Sequence, residues 1–462
     1  MNLQRNLLFG LLFVAAGLIV GCDTLSSVLG GGASKKELLG ILSLVALLIA
    51  VVISCISERN VGIMCIAFGF LIAMSTGGVM KVSDLNKFFP LRLFMILVGA
   101  TLLFSMATIN GTVEKLAKWA VKGSRGIVGM LPIIFFVLSV VLAAIGPGNI
   151  ATTVVLAPIG MALCAETRIS PFLMTLMIVN GANAGALSPL APTGIIANGL
   201  VEKIQLEYIG GQIFWNSLLG NGVAALFAFF AFGGLKLWGK KVDPDLQLRV
   251  KNIVDAPIEP WNRKQIITSA AIAIWIVLVL FFKWDVGYTA LTLAVVLSML
   301  NCADEQEAMK KQPWFTMFML VGVMVLVEVA GKTGGLEYAI NAIASVSSVH
   351  TISSVFGFIN GFVSIYSGSS TVVMPTFIPL IPGLVAKLGV TGQEAIDMIR
   401  NLVYTCCVSA HLVDASPLSL LGALCIAAAP EWDDKNKLFR NLLFWGMGMS
   451  IFAAVISFIF WR

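Results

Sequence analysis

Charge is scarce in this sequence, and histidine scarcer still. Only 12% of the 462 residues are Asp, Glu, Lys or Arg, about half of the roughly 25% usual in soluble domains. So few charges cannot cover the outside of a water-soluble globule. A soluble enzyme, a nucleic-acid binder and a peripheral lipoprotein are all poor readings. Two histidines, His350 and His411, make a histidine-ligated cofactor implausible. The eight cysteines include neither a Cys-x-x-Cys pair nor a Cys/His cluster, so neither a metal site nor a disulfide framework is indicated. The sequence has instead an abundance of apolar residues, 58% of the chain. They fall in runs of about 20, the length that crosses a hydrocarbon core of roughly 30 Å.

The pattern predicts an all-α integral membrane protein with about eleven spans, near 6–23, 36–56, 61–80, 91–121, 171–200, 213–238, 265–282, 286–302, 314–343, 399–429 and 441–460. The first of these ends in Ile19-Val20-Gly21-Cys22, which mimics a lipoprotein cleavage site; a first membrane helix is the plainer reading. Two longer stretches, 126–165 and 352–388, are interrupted by Gly146-Pro147-Gly148-Asn149 and by Ser367-Gly368-Ser369-Ser370-Thr371. About 40 apolar residues with a polar centre suit a re-entrant helical hairpin, whose tip is tolerable only against protein or a wet cavity.

Basic residues cluster at Lys115–Arg125, along 236–264 and at Lys435–Arg440. One orientation of eleven crossings puts all three groups on the cytoplasmic side of the inner membrane, with the N-terminus inside and the C-terminus outside. The polar link from 239 to 263 separates two similar halves, 36–238 and 264–462, preceded by an extra helix and loop at 1–35. Asn60-Val61-Gly62 matches Asp285-Val286-Gly287, and Leu97-Val98-Gly99 matches Leu320-Val321-Gly322. Gly111 and Glu114 match Gly334 and Glu337; Thr153-Val154-Val155 matches Thr371-Val372-Val373; Ser188-Pro189 matches Ser416-Pro417. Five matches in one order, each half with an odd number of crossings, predict two inverted-topology repeats, a recurring plan of secondary transporters.

The polar breaks are where chemistry could sit. The hairpin tips GPGNIATTVVLAP (146–158) and SGSSTVVMP (367–375) offer Asn149, Thr152, Thr153, Ser369, Ser370 and Thr371. The interrupted helices NGANAGALSPLAPTG (180–194) and AHLVDASPLSLLG (410–422) add Asn183, Ser188, Pro189, Ser416 and Pro417. Broken helices leave N–H groups that attract anions and carbonyls that suit small cations. Neutral donors without Arg or Lys would hold a carboxylate moderately, as a carrier requires. Asp414, three residues after His411 and matched by Ala186, is a candidate ligand for Na+ or carrier of H+. Asn149, Asn183 and Ser369 could share that cation, and no other metal or cofactor is expected. Glu328 precedes Lys332 by one helical turn, which predicts a local ion pair.

NVGIMCIAFGF, LVGATLLFSMATINGTVEKL, GPGNIATTVVLAPIGMA and NGANAGALSP resemble the MatC-type malonate/dicarboxylate carriers. More broadly, the paired hairpins and repeats resemble the ion transporter superfamily and its divalent anion–sodium symporters. The resemblance implies uptake of a small dicarboxylate driven by Na+ or H+, an elevator-type mechanism and a homodimer. It also implies Ser-Asn-Thr at each tip. Here the first tip reads Gly148-Asn149-Ile150 and the second Ser369-Ser370-Thr371, so only one tip amide carries over and Asp414 is the candidate substitute. The alternatives are a sodium/proton antiporter or oxyanion exporter of the same superfamily and, remotely, an intramembrane hydrolase using a serine with His411 and Asp414.

Overall fold

A computed structural model describes residues 35–56, 59–75, 80–122, 127–237 and 257–461, which are helical with no strand among them. The predicted span at 6–23, Cys22 and most of the link at 239–263 lie outside the described residues. In order, the helices are α1 (Lys35–Ile56), α2 (Val61–Ser75), α3 (Asp84–Phe88), α4 (Leu91–Ile109), α5 (Thr112–Lys122), α6 (Met130–Ala144), α7 (Gly148–Thr167), α8 (Pro171–Ala186), α9 (Pro192–Lys203) and α10 (Gly210–Ala231). After the link come α11 (Arg263–Leu280), α12 (Val286–Met299), α13 (Glu305–Lys310), α14 (Trp314–Thr333), α15 (Gly335–Ser345) and α16 (Ile352–Tyr366). The last are α17 (Ser369–Lys387), α18 (Gly392–Leu412), α19 (Leu420–Ala428) and α20 (Lys435–Phe460).

The second ten helices repeat the order of the first ten, down to a short helix (α3, α13) ahead of a long one (α4, α14). Their packing is reciprocal. Helix α2 lies on α14 while α12 lies on α4, and α3 touches α14 while α13 touches α4. Contacts in which A touches B′ wherever A′ touches B are those that a two-fold relation between the halves would give. The matched motifs make those contacts. Asn60 caps α2 by accepting from the amides of Gly62 and Ile63, and Asp285 caps α12 by accepting from Gly287 and Tyr288, each satisfying N–H groups that a helix start leaves unpaired. One turn in, a Cβ on Gly322 would overlap the Gly62 carbonyl oxygen, and one on Gly99 would overlap that of Gly287. Glycine lets the two backbones touch, as in membrane helix packing generally.

Six helices among the described residues are long and apolar enough to cross a bilayer: α4, the Gly148–Ala165 part of α7, α10, α14, α17 and α20. Shorter apolar helices run over Leu38–Ala50, Val61–Met74, Met130–Ala144, Val286–Met299 and Ile352–Tyr366. Large apolar side chains are left exposed along α10 and α20, among them Phe227, Phe230, Phe444 and Ile451, on helices whose composition suits lipid. This is a multi-pass membrane protein. Both predicted breaks are present, between α6 and α7 and between α16 and α17. In the first, Gly146 and Gly148 take positive φ values of 140° and 73°, which only a residue without Cβ adopts cheaply.

The helices sort into two sets by contact: α1–α5 with α11–α15, and α6–α10 with α16–α20. The sets meet where α14 and α15 touch α17, where α4 touches α9, where α5 touches α6 and α7, and where α1 touches α16. Glu328 of α14 does not follow the local expectation. It pairs with Lys203 at the end of α9, at 2.6 Å, because the packing of the two sets brings that ammonium to it. Arg92 and Glu202, 2.8 Å apart, form a second ion pair across the same seam.

Candidate functional site

The first tip turns at Ile145-Gly146-Pro147, and α7 starts at Gly148 without a side-chain cap. Asn149 is buried just inside that start. Its amide donates to Asn183 Oδ1 at 2.9 Å, and its own Oδ1 accepts from the Ile150 N–H. Asn183, in the last turns of α8, donates in turn to the carbonyl oxygen of His411 at 2.9 Å. Asn183 and His411 are matched positions, so this bond joins the two halves. Ser217 of α10 donates to the Asn183 carbonyl and fixes the backbone there.

At the second tip α17 opens with a π turn, Ser369–Val373, behind an extended Gly368. Ser369 donates to Asp414 Oδ2 at 2.8 Å, both residues buried. Asp414 sits just after α18, in the turn that leads to α19, and the Ser419 hydroxyl donates to its carbonyl oxygen. His411 Nδ1 lies 2.7 Å from the Cys407 carbonyl; since a carbonyl only accepts, that nitrogen carries the proton. The ring thus bonds its own helix, and Ser369 bonds Asp414 directly. The Ser–His–Asp relay that hydrolysis needs is not formed by these residues.

Ser188 and Ser416 are spent locally. Each hydroxyl accepts from the amide two residues on, Leu190 and Leu418, and each carbonyl is pressed by a matched glycine, Gly194 or Gly422. They and the following Pro189 and Pro417 shape the turns between α8 and α9 and between α18 and α19. Thr152 and Thr153 are fully buried, with hydroxyls that find no protein partner, while Thr371 is buried beneath Gly368.

Between the two helix sets lies a cavity of about 280 Å³, at the small end of ligand-sized pockets. Asn149 and Ser370 line it from the two tips; Thr152, Thr153, Ser369 and Thr371 are not among its lining residues. Three helices start at its wall: α7 at Gly148, α9 at Pro192 and α14 at Trp314, and none of them has a side-chain cap. First-turn N–H groups have no backbone acceptor within their own helix; at α7 one of them, Ile150, is met by Asn149 Oδ1, and the positive ends of the three helix dipoles lie at the wall. Several lining residues are not among the candidate residues of the polar breaks. Thr101, Ser105 and Thr108 come from α4, Thr193 from α9 and Thr316 from α14. The spacing of four and then three in the first group marks one helix face, a signal present in the sequence. Lys311, at the rim, follows α13.

Comparison with known proteins bears on what such a cavity serves. Residues 35–186 match the family model of the dicarboxylate carrier protein MatC N-terminus. The resemblance read from the motifs is therefore matched over the segment that holds α1 to α8, including the first tip. Two relatives from Mycobacterium tuberculosis, strains CDC 1551 and H37Rv, are each named an uncharacterized transporter. Each is 23% identical over 314 residues, covering 63% of this chain and 68% of its own. With the membrane-spanning architecture, these similarities mark the chain as a transporter.

Proposed function

We propose that the protein is a secondary carrier of small dicarboxylates, coupled to Na+ or H+. One observation carries the reading: three uncapped helix starts, Asn149 and Ser370 face a single small cavity. Such starts bind carboxylates without a fixed charge, and Ser105, Thr193, Thr316 and Ser370 bring further hydroxyls to the wall, while those of Thr101 and Thr108 donate to the Leu97 and Phe104 carbonyls of their own helix. The match to the MatC N-terminal family model supports a dicarboxylate as the anion.

The cation belongs beside it. A buried carboxylate needs a counter-charge or a proton, and Asp414 meets Ser369 at the second tip. The Asn149–Asn183–His411 chain runs from the anion cavity to the last turn of α18, just before the turn that holds Asp414. A cation that fixes the Asp414 turn therefore also fixes the wall that the anion uses, which is the coupling a symporter requires. The reciprocal packing supports two inverted repeats. The division into two helix sets supports an elevator, with α6–α10 and α16–α20 moving against the rest. A homodimer, and a cytoplasmic N-terminus with an extracytoplasmic C-terminus, complete the reading.

The test is uptake of labelled malonate, succinate, malate and citrate into proteoliposomes, with sodium replaced by choline at two pH values. The expected result is uptake of one or more dicarboxylates that falls when the coupling ion is withdrawn. Absence of uptake and of binding for every di- and tricarboxylate would overturn the proposal.

A further inference from the structure

Lys311 is the basic residue among those lining the cavity, and its placement is fixed rather than casual. It is the residue that closes α13. On one side of it the Gln312 amide, buried, donates to the Val98 carbonyl of α4. On the other, the Trp314 indole N–H donates back to the Met309 carbonyl at 2.8 Å. The backbone of 311–313 is thus pinned against the cavity wall, and the side chain alone is left to swing. Its ammonium rests 2.9 Å from Glu307 Oε1, one turn back, with both side chains about half exposed. Exposed pairs of this kind are weak and exchange readily.

We infer that Lys311 receives the second carboxylate of a dianion whose first carboxylate is held at the helix starts, and that Glu307 occupies the ammonium until substrate arrives. This deepens the carrier reading and rests on it. The helix starts, the tip amide and Ser370 recognise one carboxylate and cannot tell a dicarboxylate from a monocarboxylate. Lys311 supplies that distinction from across the cavity mouth, offsetting the desolvation cost that a second negative charge would meet against a mostly apolar wall. The exchange of one carboxylate for another, Glu307 for substrate, leaves the ammonium paired throughout. The position arises in one half only. The LVG motifs that begin at Leu97 and Leu320 are 223 positions apart, and the same offset carries Lys311 onto Phe88, so the other half has no cation at the matched place.

The experiment measures binding of succinate and of butyrate, which differ by one carboxylate, to the purified full chain and to Lys311→Gln, Lys311→Arg and Glu307→Gln. Lys311→Gln should weaken succinate about tenfold, the worth of a bond to a charged group, and leave butyrate unchanged. Lys311→Arg should restore most of the succinate affinity, and Glu307→Gln should tighten it by roughly two- to threefold by freeing the ammonium, an effect of the order of an exposed pair. Equal losses for both ligands, or no loss for either, overturn the role of Lys311 while leaving the carrier reading in place. A wild-type protein that binds no dicarboxylate overturns both.

Discussion

If Asp414 holds the coupling ion, Asp414→Asn should abolish ion dependence while preserving the local structure. Asparagine keeps an oxygen to accept from Ser369 at the 2.8 Å contact and fills the same volume, but it removes the negative charge. The magnitude comes from that bond. A hydrogen bond to an ionised group is worth about 1.5–3 kcal/mol and one between neutral groups about 0.5–1.5 kcal/mol. With Asp414 ionised, Ser369→Ala should therefore cost roughly 1 kcal/mol more in the protein that keeps Asp414 than in the Asp414→Asn variant, read as a double-mutant cycle on thermal unfolding in detergent with the coupling ion present. In uptake, Ser369→Ala should raise the concentration of coupling ion needed for half-maximal transport about tenfold, equivalent to about 1.4 kcal/mol. Asp414→Asn should make uptake from sodium and from choline media equal and low. If the ion is H+, the pH dependence of uptake in choline should flatten in the same variant. A variant Asp414→Asn that keeps wild-type ion dependence would show that the coupling ion is bound elsewhere.

Three further perturbations test the frame and the site. Gly322→Ala and Gly99→Ala should each lower thermal stability, by the roughly 1–3 kcal/mol typical of overpacking or more, because the new methyl group meets the carbonyl of a facing helix; Gly448→Ala, where a Cβ meets nothing, should lose nothing. Asn149→Ala and Ser370→Ala should weaken dicarboxylate binding about tenfold, the worth of a bond to a carboxylate, whereas Thr371→Ala, off the cavity wall, should lower stability and leave affinity within about twofold; a reversed order in a binding titration would displace the site. Lys115 is buried and donates to Gln265 Oε1 at 2.7 Å and to the Pro260 carbonyl at 2.8 Å, tying α5 to the start of α11. Lys115→Met should cost about 1–3 kcal/mol in a thermal melt, with Lys115→Arg recovering part of it.

The frame is legible in the sequence because its contacts are made by small, recognisable words. Asn60-Val61-Gly62 and Asp285-Val286-Gly287 each encode a cap followed by a glycine at a helix crossing, and both tasks restrict residue type enough to leave a readable repeat. The breaks are legible for the same reason: Gly146, Pro147 and Gly148 stop a helix by backbone chemistry alone. The site is legible only in part. Which of the consecutive residues Ser369, Ser370 and Thr371 faces the cavity depends on the rotation of a π turn, which composition does not reveal. Ser188 and Ser416 look like donors in sequence but turn their hydroxyls to their own loops. Lys311 and Thr316 lie more than a hundred residues from either first-half break and reach the cavity only because α13 and α14 pack on the other half. Glu328 shows the same limit, since Lys203 is near it in space and Lys332 only in sequence.

Where the two halves agree and where they differ follows a physical division of labour. Positions that set helix approach are kept in both: Gly62 with Gly287, Gly99 with Gly322, Gly194 with Gly422. A carrier whose two end states are related by exchanging the conformations of its repeats needs such contacts to be equally good in each half. Positions that meet a ligand have no such constraint, because an anion and a cation require opposite partners. The positions proposed to serve the ligands differ in that way: Asp414 faces Ala186 in the match, and Lys311 faces Phe88. On α4 the cavity-facing Thr101, Ser105 and Thr108 correspond, at the same offset of 223, to Met324, Glu328 and Gly331 of α14. There the matched glutamate is bound to Lys203 across the seam. One half thus lines its cavity with hydroxyls, whereas the corresponding place in the other is a second, larger pocket lined by Met324, Lys203 and the Arg92–Glu202 pair. Movement of α9 with its set would have to break the Lys203–Glu328 and Arg92–Glu202 pairs together.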